Sequence, residues 1–173
     1  GAMSEAEEAA MIAEVTGRIS AEEGKQPMGW LGPWISQSPA TPDLLAEAGY
    51  AYGLDWAMDE QPVFMRTRGG GRLLSVPYPQ ELNDIPMIVA RHASGAEFAD
   101  AIIDAFDEML TLSAKAPLVM GIALHAYIVG YPQRLRHLRR ALAHIAQRRD
   151  EVWLTTSGAV AAHCLALPEG TLV

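Results

Sequence analysis

Residues 118–124 carry the sequence LVMGIAL, seven uncharged residues that end immediately before His125. An apolar run of this length is typical of a strand covered on both faces, as strands are in parallel α/β sheets. In such sheets the working residues collect where the strands end at their carboxyl side. The run therefore predicts a buried strand that delivers His125 to a cleft.

The segments around this run alternate between helical and extended patterns. Two capping boxes, Ser4 with Glu7 and Ser94 with Glu97, mark helix starts, and three glycines at 69–71 predict a hairpin. The predicted helices are 4–22, 41–48, 94–116, 132–149 and 158–167; the predicted strands are 28–35, 50–56, 63–67, 73–76, 118–124 and 152–155; residues 78–86 are expected to form a loop. This alternation predicts an α/β fold with mostly parallel strands and crossover helices.

Composition narrows the functional classes. The chain has 173 residues, half of them hydrophobic, and a net charge of -8, which argues against nonspecific binding to nucleic acid. The arginines of the 132–149 helix are expected to be solvated or to face a subunit. A single cysteine, Cys164, no secretory signal and no membrane-length apolar stretch together predict a cytoplasmic protein. Residues 1–3 resemble an expression scar, and residues 4–173 are expected to form a single domain.

The strand-end rule selects a short set of candidate residues. His125 suits a general acid that protonates a leaving nitrogen, although a histidine held by backbone hydrogen bonds at a strand end is equally compatible with its position. Asp55 beside Trp56 could orient a base or line a pocket, or could be a surface carboxylate over a core indole. The other candidates are Trp30 and Trp34, whose indoles could stack on planar ligands or anchor the core, and Glu81, Asn83 and Asp84, which could bind polar substrate groups or form a turn.

Several other chemistries lack their motifs. His137 and His144 lie seven residues apart, whereas helical zinc sites use a spacing of three or four, so this chain is expected to supply no metal ligands. The glycines at 69–71 lack a phosphate-binding context. No Gly-x-Ser-x-Gly elbow occurs, which leaves nucleophilic catalysis without support.

Several motifs in order resemble the polysaccharide deacetylase superfamily. Residues 26–36 (QPMGWLGPWIS) are similar to the segment that lines one side of its active groove, Leu54-Asp55-Trp56 to its Asp-Trp motif, and residues 119–125 (VMGIALH) to its final motif, which carries the catalytic-acid histidine. Residues 75–84 and 132–144 are closer to the branch of metal-independent allantoinases and cyclic-imide hydrolases. The resemblance implies catalytic roles for His125 and Asp55, and substrate binding by Trp30, Trp34, Trp56, Glu81, Asn83 and Asp84.

The acidic pair and the His-x-x-x-His motif that begin the superfamily's barrel have no counterpart in this sequence. The resemblance thus implies a partial (β/α) barrel, about its C-terminal half, with one hairpin. Half a barrel leaves strand edges and an apolar inner face uncovered. We therefore expect a partner, either a separately encoded N-terminal half or a second copy.

Three functions remain open at this stage. The first is a hydrolase of non-peptide C–N bonds in a small cyclic ureide or imide, active only in complex. The second is a subunit of a metal-dependent N-acetyl-sugar deacetylase, with zinc bound by the partner chain. The third is a non-catalytic truncated homologue with a binding role, in which His125 is structural.

Overall fold

The computed structural model describes residues 3–172, which divide into two compact units. The first unit comprises the residues up to Val76 and those from Thr156 onward, and the second is Pro77–Thr155. Of residues 1–3, only Met3 lies within the described part of the chain.

A small, mostly parallel sheet organises the first unit. Its strands are β1 (Gly29–Trp30), β2 (Tyr52–Gly53), β3 (Val63–Arg66) and β4 (Arg72–Ser75), in the order β1-β2-β4-β3. β2 pairs in parallel with both β1 and β4, whereas β3 and β4 form the antiparallel hairpin that the glycines predicted. The α/β class with parallel strands is confirmed, but β1 and β2 are much shorter than the predicted strands 28–35 and 50–56.

Three helices complete this unit: α1 (Glu5–Glu23), α2 (Thr41–Glu47) and α6 (Ser157–Ala166). The Ser4 capping box begins α1, and Gly24 ends it with a left-handed backbone, as the sequence predicted. Ile12 of α1 packs with Leu44 and Leu45 of α2 and with Leu73 of β4, forming the core of the unit. Cys164 is buried in α6.

The second unit is built on a helix pair. It contains α3 (Gly95–Leu112), α4 (Ala126–Val129) and α5 (Pro132–Gln147). Spacings of three and four residues place apolar side chains on one face of each long helix, and these faces share one core: Phe98, Ile102 and Phe106 of α3 with Leu138, Ala141 and Ile145 of α5. On the α5 surface, Arg140 pairs with Asp100 of α3 at 2.6 Å.

Residues 118–124, predicted to be a buried strand, do not form one. Their ladder is reduced to one parallel bridge, between Ala123 and Asn83. Ala123 is the only buried residue of the run, and Leu124 is exposed. An apolar run becomes a strand only when neighbouring backbones complete its hydrogen bonds on both sides, and within this unit it has a neighbour on one side at most.

One smaller prediction in the second unit is also wrong, because residues 152–155 form no strand. The predicted loop 78–86 is irregular as far as the bridge at Asn83, and a π-helical turn, Ile85–Ala90, begins at its end. Pro86 stands at the start of this turn, where the missing N–H of a proline is tolerated.

Across residues 3–172, none of the helices combines the length and the apolar character required to cross a bilayer.

Candidate functional site

A histidine–carboxylate dyad lies in the second unit. The Asp84 carboxylate, whose side chain is completely buried, accepts two hydrogen bonds from His125: its Oδ2 from the backbone N–H at 2.7 Å and its Oδ1 from ring Nδ1 at 2.6 Å. An ionised carboxylate can only accept, so beside a charged Asp84 the Nδ1 position carries the proton. This arrangement fixes both the tautomer and the orientation of the imidazole.

The chain path around Asp84 explains how the dyad is held. Asp84 N–H donates to the Ala123 carbonyl at 3.2 Å, and Ala123 N–H donates to the Leu82 carbonyl at 2.9 Å. These two bonds run residues 82–84 alongside residue 123, so that Asp84 comes to lie beside His125. The Asn83–Ala123 bridge, which is all that forms of the predicted strand, therefore brings His125 beside Asp84.

His125 also begins α4. Its carbonyl accepts from the N–H groups of Ile128 and Val129, and its ring meets the Tyr127 ring edge-on, with centroids 5.6 Å apart. About a third of the side chain, 32%, is exposed. In residues 3–172 we find no hydrogen bond to Nε2, which is therefore the atom able to exchange a proton with a ligand.

Asp84, Asn83 and Glu81 differ in what they can offer a substrate. Asp84 was predicted to bind substrate, and in the structure each of its carboxylate oxygens accepts a hydrogen bond from His125, so that it orients the histidine. Asn83 is buried, and its Oδ1 accepts from Ile85 N–H at 3.0 Å, the turn chemistry that the sequence left open. Glu81 is exposed.

Asp55 lies in the first unit and is only 5% exposed, so it is not the surface carboxylate that its position allowed. Its Oδ1 accepts from the Gly32 N–H at 2.7 Å, and its backbone carbonyl accepts from Gln37 Nε2 at 3.1 Å. Burial raises the pKa of the Asp55 carboxyl above its usual range, and the hydrogen bond from Gly32 partly opposes that rise.

The three tryptophans of this unit occupy different environments. Trp30 is half-buried in β1 and packs edge-on against Tyr50 with ring centroids 5.4 Å apart, as a core anchor would. Trp56 is also half-buried, and its carbonyl accepts from Ser75 Oγ. Trp34 is 83% exposed, and both Trp34 and Ile35 have left-handed backbone angles, with φ of 59° and 52°.

Sequence reasoning found the candidate residues but missed two of their pairings. Asp84 pairs with His125, 41 positions away, and Asp55 pairs with the loop that carries Trp34. The sequence did carry a signal for the first pairing. Asp84 lies at the end of one extended segment and His125 at the end of another, and such segment ends lie close together in parallel sheets. Within residues 3–172, no three His, Cys, Asp or Glu side chains group closely enough to hold a metal ion.

Comparisons with known proteins give the chain its relatives. No protein-family model matches it. A candidate polysaccharide deacetylase of Schizosaccharomyces pombe is 35% identical over 91 residues, which are 51% of this chain and 28% of that protein.

Solved structures match over nearly the whole chain. The crystal structure of PuuE allantoinase superposes with a TM-score of 0.85 at 29% identity, covering 95% of this chain and 55% of that one. The crystal structure of a candidate polysaccharide deacetylase from Pseudomonas aeruginosa PAO1 superposes with a TM-score of 0.81 at 28% identity. The match covers 94% of this chain and 54% of that one. A third structure, of a candidate polysaccharide deacetylase from Mycobacterium smegmatis, superposes with a TM-score of 0.77 at 22% identity and covers 96% of this chain and 59% of that one. At this identity it supports the fold alone.

The chain spans little more than half the length of these solved structures and a smaller share of the yeast protein. Its small, mostly parallel sheet matches part of their barrels. The yeast protein, PuuE allantoinase and the Pseudomonas structure point to the polysaccharide deacetylase superfamily, and this chain has the fold of about half of such a barrel.

Proposed function

We propose that this chain supplies the proton-transfer group of a hydrolase that opens a non-peptide C–N bond in a small cyclic ureide or imide. The Asp84–His125 dyad is the observation that carries the proposal. The likeness to an allantoinase at 29% identity supports this substrate class.

The dyad suits the difficult step of amide hydrolysis. Water adds to the carbonyl carbon, the C–N bond breaks, and the departing nitrogen must receive a proton because an amide anion is a poor leaving group. His125 Nε2 first accepts a proton from the attacking water and then, as Nε2–H, gives that proton to the departing nitrogen, while Asp84 holds the Nδ1–H and stabilises the ring orientation. The products are a carboxylate and an open-chain amide, and no step is assigned to a metal.

The remainder of the barrel is proposed to come from a partner, either a separately encoded half or a second copy of this chain. Two facts support this proposal. The solved relatives are nearly twice as long as the matched region, and large apolar side chains such as Tyr127 and Leu154 are exposed.

The runner-up is a subunit of an N-acetyl-sugar deacetylase. It is favoured by the names of the yeast and Pseudomonas relatives, both candidate polysaccharide deacetylases. In that case His125 would still protonate the leaving amine, and zinc would be held by residues of the partner chain. Metal analysis of the assembled protein separates the two, since tightly bound zinc favours the deacetylase.

The dyad is tested by substitution in the assembled protein, with allantoin as the substrate. Removing a general acid typically costs about 10²–10⁴-fold in rate, and we expect His125→Ala to lose activity in that range. Asp84→Asn should also reduce kcat, because an amide in place of the carboxylate allows the other tautomer.

The matched control is His137→Gln, which alters a histidine of α5 outside the dyad and should leave the rate unchanged. Full activity in His125→Ala would contradict the proposal and favour a non-catalytic homologue in which the dyad only holds the chain. The same three variants assayed on an N-acetylated sugar test the runner-up.

A further inference from the structure

The segment Gly32–Gln37 is held at both ends by one residue. Asp55 Oδ1 accepts the Gly32 N–H at 2.7 Å, and the Asp55 backbone carbonyl accepts Gln37 Nε2 at 3.1 Å. Within the segment, Ile35 N–H donates to the Gly32 carbonyl and Ser36 N–H to the Pro33 carbonyl, both at 3.1 Å. Four hydrogen bonds thus determine a stretch of six residues.

This segment holds an unfavourable backbone conformation. Trp34 and Ile35 adopt positive φ in succession, and Ile is β-branched, so both residues carry steric cost. Such conformations persist only where the surroundings over-determine them, and they concentrate at ligand sites. The hydrogen bonds to Asp55 hold the backbone of this segment in that conformation.

Close approach to Asp55 also explains the glycine at position 32. A Cβ there would lie 3.2 Å and 3.4 Å from the two carboxylate oxygens of Asp55 and 3.4 Å from the Ser36 carbonyl oxygen. The segment and the buried carboxylate are therefore fitted to each other.

The result of this arrangement is an indole directed to solvent. Trp34 is 83% exposed although Trp is among the residues that gain most from burial. A backbone held at a cost, with a large flat side chain held out of the core, is the arrangement expected of a stacking surface for a planar ring.

We propose that Asp55 is a positioning residue, not a proton-transfer group: it clamps both ends of the Gly32–Gln37 segment and thereby presents Trp34 as a surface on which the planar ring of a cyclic ureide or imide stacks. The ring class rests on the proposed function, whereas the clamp does not. The proposal changes the role of Asp55 from the catalytic one that the resemblance implied.

The clamp is tested by hydrogen exchange at the Gly32 amide. Asp55→Asn keeps an oxygen acceptor of the same size, so Gly32 should stay protected. Asp55→Ala removes the acceptor, and we expect exchange at Gly32 to speed up roughly ten- to a hundredfold, the effect of losing a hydrogen bond to a charged group. Unchanged exchange in Asp55→Ala would overturn the clamp.

Gln37→Ala provides a second variant in case Asp55→Ala does not fold. It removes only the bond at the far end of the segment, and Trp34 emission should change while the circular dichroism of the helices does not. The Trp34 contribution is isolated by subtracting the spectrum of the matching Trp34→Phe variant. An identical Trp34 emission in Gln37→Ala and in the parent would contradict the clamp.

Stacking is tested with hydantoin, a planar cyclic ureide, added up to its solubility limit. Trp34 emission should be quenched in the parent and in Asp55→Asn, and much less in Asp55→Ala. Simple collisions would quench Asp55→Ala equally, and either that result or no quenching in the parent would overturn the stacking assignment.

Failure of the proposed function gives a different pattern of results. If His125→Ala is fully active, the reaction assigned to the dyad is wrong, while Gly32 protection and Trp34 emission still report on Asp55. If Asp55→Asn loses activity as completely as His125→Ala with Gly32 still protected, Asp55 is catalytic and the positioning role is wrong.

Discussion

Asp55→Asn should make the protein more stable at neutral pH. Burial raises the pKa of the folded-state carboxyl above its ordinary value of 3.8. Ionisation of Asp55 therefore lowers the free energy of unfolding at pH values above that raised pKa. The stability linked to the proton is fully present below the unfolded value and is lost as the pH rises through the folded value. Asparagine carries no charge at any pH and can still accept from Gly32.

Urea denaturation at several pH values measures this effect. The gain of Asp55→Asn over the parent should be largest at roughly pH 7 and should shrink towards roughly pH 3, where Asp55 is protonated in both states. A gain that does not vary with pH would show that ionisation of Asp55 is not its cause.

The candidate residues could be predicted from the sequence better than their partners. His125 was selected because an apolar run ended on it, although only one bridge of the predicted strand forms. Asp84 was a candidate but was not predicted to pair with His125, since the pairing depends on two segments 41 positions apart lying side by side. The Trp34 backbone could not be predicted, because a positive φ at tryptophan is disfavoured by local sterics and is held by a distant carboxylate.

Elements whose signals are local were predicted closely. Helices α1 and α3 begin at the Ser4 and Ser94 capping boxes, and α5 and α6 lie within a few residues of the predicted bounds. Extended segments were predicted less well, because a strand is defined by its neighbours. Residues 118–124 have strand composition, yet the chain supplies only the Asn83 bridge, and the rest of the run stays half-buried or exposed.

The α3–α5 core should dominate the stability of the second unit. Phe98 is almost completely buried there, and Phe98→Ala removes its contacts and leaves a cavity, a change that costs about 3–5 kcal/mol. Leu112→Ala, at the exposed end of the same helix, should cost less than about 0.5 kcal/mol. Chemical denaturation followed by helical circular dichroism checks both, and equal losses in the two variants would contradict this core assignment.

The fold of the whole chain was reached by two separate routes. Alternating elements predicted an α/β fold with parallel strands, which the sheet order confirms. Its being about half of a barrel came from the resemblance of ordered motifs, and the TM-score of 0.85 over 55% of PuuE allantoinase bears this out. Periodicity alone could not have given that result, because hydrogen bonds to strands outside the given sequence leave no pattern within it.

A fold that corresponds to half of a barrel is expected to associate with another chain or with a second copy of itself. Leu154 is exposed in a segment whose composition predicted a strand, and a sheet that continued into a partner would bury it. We expect the chain alone to self-associate in sedimentation velocity as its concentration rises, or to form a stable complex when co-expressed with a separately encoded barrel half. Leu154→Asp should weaken either assembly, because a charge buried in an apolar interface is costly.

Leu112→Asp is the matched control, since Leu112 is an exposed leucine flanked by Thr111 and Ser113 at the end of α3, away from any predicted strand. It should leave the assembly unchanged. A parent chain that stays monomeric at every concentration and forms no complex with a barrel half would contradict the partner proposal. If both substitutions weaken the assembly equally, the loss does not depend on which leucine is replaced. The contact would then not be specific to residues 152–155.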